Sequence, residues 1–238
     1  MPNDVGGWEA GTTFSNVSLD SMWDGLLYPY QYPGFNSFSI NGQNSTIEVG
    51  DSIPASVTFI WSTANDSNIK SNSISIYDVT GSKTLLSGST NDGTEAITMS
   101  GSITKTSATS HTFKIEGENN KSDKFSKNKV YYWRWRLFYG EDTNSGPLTE
   151  SNVESLRASL LTNSFARTYS FVAGGYKYIA YPSSFGTATT FKDTSTNLDV
   201  PFENYYIVSI TNGFGQTTDY KVHRTTNVLG GDINIQVS

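Results

Sequence analysis

The chain has no cysteine among its 238 residues, and charged residues make up only 16% of it. The missing thiols exclude disulfide bonds, cysteine nucleophiles and cysteine-ligated zinc. Ser, Thr, Asn and Gly stand where charged residues would otherwise be, which is typical of many short strands joined by polar turns. A surface of this kind also suits contact with other protein molecules.

Basic residues are too few for the recognition of a polyanion. Lys and Arg number 16 against 22 Asp and Glu, which gives a net charge of −6. Nucleic acids and anionic membranes need clustered cations, so we expect no nucleic-acid partner and no membrane insertion. The longest apolar runs have the length of strands, which predicts no membrane-spanning helix. Residues 1–10 lack both a basic and an apolar stretch, so we also expect no secretory leader.

The spacing of apolar segments and turns predicts an all-β chain with two small domains. The hydrophobic share of 36% is enough to build their cores. We predict an immunoglobulin-like β-sandwich followed by a small β-rich domain with one helix, preceded by an N-terminal arm and a short helix. The predicted bounds are 1–33 for the arm and docking helix, 34–140 for the sandwich and 141–238 for the C-terminal domain.

Seven apolar segments with Gly, Asn and Asp turns between them form the predicted sandwich. They are Phe35–Ile40, Val57–Trp61, Ser73–Val79, Lys83–Ser87, Ala96–Met99, His111–Ile115 and Val130–Tyr139. In the last segment, period-two geometry places Trp133 and Trp135 on one face. Arg134 and Arg136 fall on the other face. We favour core tryptophans with arginines packed over the outside, and an aromatic and guanidinium binding surface is the alternative.

The C-terminal domain begins after a polar linker at Gly140–Pro147. Apolar residues at helical spacing then predict a helix over Leu148–Phe165, with Thr149 as its N-cap. The strands predicted after it are Thr168–Ala173, Tyr176–Tyr181, Tyr205–Thr211, Thr218–Thr225 and Asp232–Val237. Aromatic residues crowd this domain, and tyrosine offers binding surfaces a large contact area with a polar tip. The residues expected to contact a receptor are Tyr176, Tyr178, Tyr181, Phe185 and Phe214, although part of the aromatic set is expected to fill a small core.

The N-terminal residues have the features of a docking segment. Residues 1–15 show no periodicity, so they are either an anchoring arm or a frayed terminus. Residues 16–28 repeat apolar side chains at helical spacing up to Pro29, which predicts a short helix. A helix of this length is marginal by itself and must pack on something. The residues expected to dock are Trp8, Leu19, Met22, Trp23, Leu26 and Leu27.

Motifs for catalysis or cofactor binding are sparse. His111 and His223 are isolated in strand-like segments, where a histidine is more often structural than a base. The acid pairs that a glycosidase would need are Glu116 with Glu118 and Glu141 with Asp142, but no apolar pocket is evident beside them to raise a pKa. No nucleotide-binding, calcium-loop or nucleophile-elbow pattern occurs. We therefore expect no enzyme activity, no catalytic residue, no metal and no cofactor.

Three parts of the sequence resemble the fibre-type structural proteins of tailed bacteriophages. The first covers residues 13–35, including Leu26–Tyr30. The second includes Phe38–Gly42, Val49–Gly50, Phe59–Ser62, Asn91–Gly93 and Trp133–Arg136, and the third includes Tyr176–Pro182, Asn212–Gly215 and Tyr220–Gly231. The resemblance covers nearly the whole chain, and its motifs are structural, not catalytic.

The resemblance implies a virion component, made in the host cytoplasm, that docks by its N-terminal segment and exposes its C-terminal domain on the particle surface. Similar proteins place this unit after other fibre domains, so a start at Met1 leads us to expect a short stand-alone fibre, spike or decoration subunit. The implied partners are other virion proteins, further copies in a homotrimer and a host-surface glycan or protein. A secreted adhesin, a carbohydrate-binding module, a capsid decoration protein and, with least support, a polysaccharide depolymerase are the alternatives.

Overall fold

The computed structural model describes residues 13, 15, 17–27, 29–89 and 93–238. The helices and strands, in chain order, are α1 (Leu19–Leu27), β1 (Gly34–Ile40), β2 (Thr46–Glu48), β3 (Ser52–Ile53), β4 (Ser56–Ala64), β5 (Ile74–Asp78), β6 (Lys83–Ser89), β7 (Thr94–Thr98), β8 (Ile103–Thr104), β9 (Thr109–Glu118), β10 (Lys124–Asp142), α2 (Glu150–Glu154), β11 (Ala158–Thr162), β12 (Arg167–Phe171), β13 (Tyr176–Pro182), β14 (Phe191–Asp193), β15 (Tyr206–Thr211), β16 (Thr217–Arg224) and β17 (Ile233–Val237). Strands dominate, which confirms the predicted all-β class. Within the ranges described, neither helix has the length and apolar character needed to cross a membrane.

Two compact units share the chain, and each is assembled from segments that are distant in sequence. The first comprises Met1–Asn41, Val57–Ile97 and Thr112–Lys129, and the second comprises Gly42–Ser56, Thr98–His111 and Val130–Ser238. The division along β10 therefore falls at Lys129. The boundary expected from the sequence, after Gly140, lies instead inside β10, where Gly140 pairs with Tyr178 of β13.

The first unit is an antiparallel two-sheet sandwich. One sheet has the order β1–β4–β7, and the other contains β6, β5, β9 and the first part of β10. Phe59 of β4 stacks on Phe38 of β1, and the edge of its ring meets Phe113 of β9 with centroids 5.3 Å apart. All three rings are buried. Each lies on the inward face of its strand, since alternate residues of a strand point to the same face. These contacts join the inner faces of the two sheets, as the predicted immunoglobulin-like class requires.

The second unit is built on a sheet with the order β15–β16–β13–β10, to which β11 and β2 add on β10. Both faces of this sheet are covered. On one face, a hydrophobic cluster joins the sheet to β12, β17 and β14, and it includes Leu137, Ile179 and Tyr181. On the other face, a second cluster includes Tyr178, Ala180 and the α2 residue Val153. Successive residues of β13 thus alternate between two cores, which explains why nearly all of that strand is buried.

The helix predicted over Leu148–Phe165 is shorter in the structure. α2 covers Glu150–Glu154, and Thr149 caps it as predicted, since its side chain accepts a hydrogen bond from the Asn152 N–H. The prediction was wrong beyond α2, where residues 158–162 form β11. Leu160 lies opposite Leu137 of β10 and packs on the first cluster of the second unit. Pairing with β10 satisfies the backbone of this segment and places Leu160 against a core, which outweighs the helical spacing.

The interpretation of β10 as a core strand is confirmed. Trp133 and Trp135 are buried, and the Trp133 indole Nε1–H donates a hydrogen bond to the Asp51 carbonyl at 2.8 Å. Arg136 lies on the outer side and binds the Glu48 carboxylate, with Nη2 to Oε2 at 2.5 Å. Glu48 belongs to β2, which runs parallel to β10. The ion pair thus links two neighbouring strands of the second unit.

Candidate binding surfaces

Helix α1 exposes its apolar side chains. The Ser18 hydroxyl accepts a hydrogen bond from the Ser21 N–H at 3.1 Å, as an N-cap side chain does. Residues at positions i, i+3, i+4, i+7 and i+8 then form one apolar stripe, which consists of Leu19, Met22, Trp23, Leu26 and Leu27. No residue of the helix is buried, and Leu19 and Leu27 are 67% and 64% exposed. The predicted helix is confirmed, whereas Trp8 lies outside the described residues.

Two of the tyrosines expected to contact a receptor are buried, and this part of the prediction was wrong. Tyr178 is fully buried and its hydroxyl donates to the Asn144 carbonyl at 2.6 Å. Tyr181 is also fully buried, with its ring tilted against Phe165 at 4.6 Å. Both belong to β13, the strand with a core on each side, so neither face of this strand is available to a receptor.

The other three expected contact residues lie at three separate places in the second unit. Tyr176 is half-buried at the start of β13, where the Arg224 guanidinium lies over its ring at 4.8 Å. Phe185 is half-buried in the turn after β13 and packs on a core cluster. Phe214 is exposed in the turn between β15 and β16. Their role as receptor contacts stays a prediction.

A cleft of about 530 Å³ in the second unit brings together residues that the sequence analysis did not connect. Its walls are the segment 187–191, the loop 199–205 and His223 of β16. The rings of Phe191 and Phe202 stack with centroids 4.0 Å apart. His223 packs against Phe191 at 5.1 Å and against Tyr205 at 5.5 Å. Of these residues, only His223 had been singled out for its chemistry, and no periodic pattern marks the loop that completes the cleft.

His223 is the buried polar group of this cleft. The Ala188 N–H donates to the Tyr181 hydroxyl oxygen at 2.8 Å, so the hydroxyl proton is available for the His223 Nε2, 2.9 Å away. Burial, together with the positive charge of Lys221, lowers the pKa of His223 to about 4, although the Glu203 backbone opposes the shift. The imidazole is therefore neutral at pH 7, and when the Tyr181 hydroxyl is the donor to Nε2, the ring proton is on Nδ1. Among the described residues, Nδ1 has no hydrogen-bond partner.

The environment of Glu116 and Glu118 lowers the pKa of their carboxyl groups, whereas a general acid needs a raised pKa. Glu116 binds Lys114 at 2.8 Å and Lys124 at 2.9 Å, and hydrogen bonds from these two ammonium groups lower the pKa of its carboxyl. A hydrogen bond from Lys70 likewise lowers the pKa of Glu118. Both carboxylates are thus unsuited to hold a proton near pH 7. In the second pair, Glu141 accepts hydrogen bonds from Arg157 at 2.9 Å and from the Val172 N–H at 2.6 Å.

Metal binding finds no support in the described parts of the chain. Within them, no group of three or more His, Asp or Glu side chains is arranged to hold an ion.

No protein-family model and no curated protein matches this sequence. Among solved structures, the chain is similar to the fibronectin(III)-like modules of Clostridium thermocellum CbhA, with 10% sequence identity and a TM-score of 0.27. The match covers 84% of this chain and 85% of that chain. A TM-score this low does not establish a common fold, and the all-β class rests on the strands and sheets described above.

Proposed function

We propose that the chain is a structural subunit of a bacteriophage virion, of the fibre or spike type, which docks on the particle through α1. The exposed apolar stripe of α1 carries this proposal. The likeness of three sequence segments to phage fibre-type proteins supports a virion as the assembly. Low charge and a high share of Ser, Thr, Asn and Gly suit a surface that is covered by other subunits.

An unbound α1 is energetically unfavourable, because its apolar side chains stay exposed to water. The helix has nine residues, and isolated helices shorter than about 12–15 residues are marginal in water. Burying a leucine side chain contributes about 1.5–3 kcal/mol relative to leaving it exposed. A groove on a particle that accepts Leu19, Trp23 and Leu27 would therefore stabilise the helix and the attachment together. In this proposal the second unit is exposed on the surface of the particle.

Incorporation into particles tests the docking role. Phage of the kind that encodes this chain would be grown with a tagged copy that is wild type, Leu19→Ser/Leu27→Ser, or the control Leu198→Ser/Val228→Ser. The control removes two aliphatic side chains of similar exposure from the second unit. We expect the wild type and the control to purify with the particles, with an antibody to the tag on slender projections, and the helix variant to stay in the soluble fraction.

Two results would contradict the proposal in different ways. Equal incorporation of the helix variant would show that α1 is not the docking element. Absence of all three forms from the particles would show that the chain is not a virion component.

A homotrimer is part of the proposal, because three equal contacts give a fibre a closed and rigid assembly. Light scattering of the purified chain is expected to give three times the 26.1 kDa mass of one chain. The mass of a single chain would contradict the trimer.

A further inference from the structure

Aromatic rings make one part of the cleft at 187–205 suited to the flat face of a ligand ring. The stacked pair Phe191 and Phe202 is half-buried, so each ring keeps some accessible surface. Tyr205 is 40% exposed and stands against His223. Ligand sites combine such apolar surface with a small number of placed polar groups.

His223 supplies a placed donor. It is 3% exposed and lines the cleft. We assign the Tyr181 hydroxyl as the donor to Nε2, and this assignment leaves the proton of the neutral ring on Nδ1. Nδ1 makes no hydrogen bond of normal geometry within the described residues, and the Glu203 backbone, which is near enough to raise the pKa of the ring, does not compensate for its burial. Buried donors nearly always have an acceptor, and a ligand oxygen in the cleft would provide one.

The charged groups at the cleft favour a neutral ligand. The carboxylates of Asp199 and Glu203 line it and can accept hydrogen bonds from hydroxyls. The Arg224 guanidinium pairs with Glu203, so the repulsion of phosphate and other anions comes mainly from Asp199. The neighbouring cation, Lys221, is held by the Gly186 carbonyl at 2.7 Å and the Thr187 hydroxyl at 2.5 Å. Two of its three donors are thus committed to the protein, and the ammonium lies over the Tyr205 ring, 4.8 Å from the ring centroid.

We propose that this cleft binds the ring of a neutral saccharide. The apolar face of the sugar packs on the aromatic wall, one hydroxyl oxygen accepts the Nδ1 proton of His223, and further hydroxyls donate to Asp199 and Glu203. A volume of about 530 Å³ lies within the range of small-molecule sites. This assignment goes beyond attachment to a particle, and it holds for the chain alone, since every group it uses belongs to the second unit.

Saturation-transfer NMR on the purified full-length chain tests the assignment. The probes are D-glucose, D-galactose, D-mannose and N-acetyl-D-glucosamine, with inorganic phosphate as the anionic comparison. We expect at least one sugar, but not phosphate, to receive saturation from the protein. Tyr205→Ala should weaken that binding about tenfold or more, which corresponds to the loss of one stacking contact. The control Tyr132→Ala removes an exposed aromatic ring of the same unit outside the cleft and should leave the affinity unchanged.

The His223 nitrogens give a second readout that does not depend on the Tyr205 variant being folded. In a long-range ¹H–¹⁵N spectrum, Nδ1 should have the shift of a protonated nitrogen, and that signal should move when the sugar is added. Asp199→Ala, an exposed position, should also weaken binding. The assignment is overturned if no sugar receives saturation, if Tyr205→Ala and Asp199→Ala bind as well as the wild type, or if phosphate binds instead. None of these results depends on incorporation into particles. The saccharide assignment and the virion proposal can therefore fail independently of each other.

Discussion

The side-chain amide of Asn212 donates a hydrogen bond to the backbone carbonyl of Val49 at 2.6 Å, across a separation of 163 residues. It ties the turn between β15 and β16 to the segment that follows β2. The next residue, Gly50, has a φ of +94° and lies against the same turn. This contact explains why Gly42–Ser56 belongs to the second unit although it lies between strands of the first.

Gly50→Ala should destabilise the second unit strongly. A Cβ at this position would lie 2.7 Å from both Phe214 Cβ and Gln216 Cγ, and the positive φ is unfavourable for alanine. We expect a loss of about 3 kcal/mol in the free energy of unfolding from the overlap and the backbone strain together. Gly42→Ala is the matched control, because Gly42 also has a positive φ but no atom within 4 Å of the added Cβ.

Urea unfolding of the two variants separates packing from backbone strain. The control should lose about 1 kcal/mol, from strain alone. Equal losses in the two variants would mean that the contact with the 212–216 turn contributes nothing.

Tyr220→Phe should remove a buried hydrogen bond without leaving a large cavity. Tyr220 is buried in β16, and its hydroxyl donates to the Arg136 carbonyl at 2.6 Å, joining β16 to β10. We expect a loss of about 1–2 kcal/mol, because the carbonyl is left without this donor. Tyr132→Phe, at an exposed position of β10, should change the free energy of unfolding by less than about 0.5 kcal/mol. Chemical denaturation measures both, and a Tyr220→Phe variant as stable as the wild type would show that water replaces the tyrosine donor.

The apolar stripe of α1 should be dispensable for the stability of the isolated chain. Since no residue of α1 is buried, Trp23→Ser/Leu27→Ser should change the free energy of unfolding by less than about 0.5 kcal/mol. Phe59→Ala, in the core of the first unit, should cost about 3–5 kcal/mol in the same assay. A large loss in the α1 variant would show that the stripe packs within the chain, which would remove the basis for docking.

The strands were predictable because their sequence signal is local. In β10, tryptophans and arginines alternate with period two, and the pattern alone indicates which side is buried. The prediction of a helix over Leu148–Phe165 was wrong because it, too, relied on a local pattern alone. Its leucines fit helical spacing, but Leu160 is placed by pairing with Leu137, more than twenty positions earlier, and no local pattern contains that contact.

The candidate site was less predictable than the fold. Tyr178 and Tyr181 were expected on a surface because tyrosine is suited to binding surfaces. In the structure, α2 and a second sheet cover the two faces of β13. The cleft depends on Phe191, Phe202 and His223, which lie in separate strands and loops and meet only in the tertiary structure. By contrast, the stripe of α1 is a local pattern and was predictable residue by residue.

His223 should make the chain less stable as the pH falls from about 6.5 to about 4. Burial lowers its pKa from 6.5 to about 4, with a contribution from the charge of Lys221. The unfolded chain therefore binds a proton in this range before the folded chain does. The contribution of the neutral imidazole is fully present above pH 6.5 and is lost as the pH falls through this window, by up to about 3 kcal/mol.

Two measurements separate His223 from the acidic residues. An NMR titration of its ring Cε1–H should give a midpoint near pH 4, and the free energy of unfolding in urea should already be lower at pH 5.5 than at pH 7. Carboxylates such as Glu116, whose pKa is lowered by Lys114 and Lys124, lose their stabilising effect only below their ordinary pKa of 4.5. A loss between pH 7 and 5.5 thus belongs to an imidazole. A titration midpoint near 6.5 would mean that water reaches the ring. Burial would then not keep the imidazole neutral, and the saccharide assignment, which uses the neutral Nδ1 donor, would lose that support.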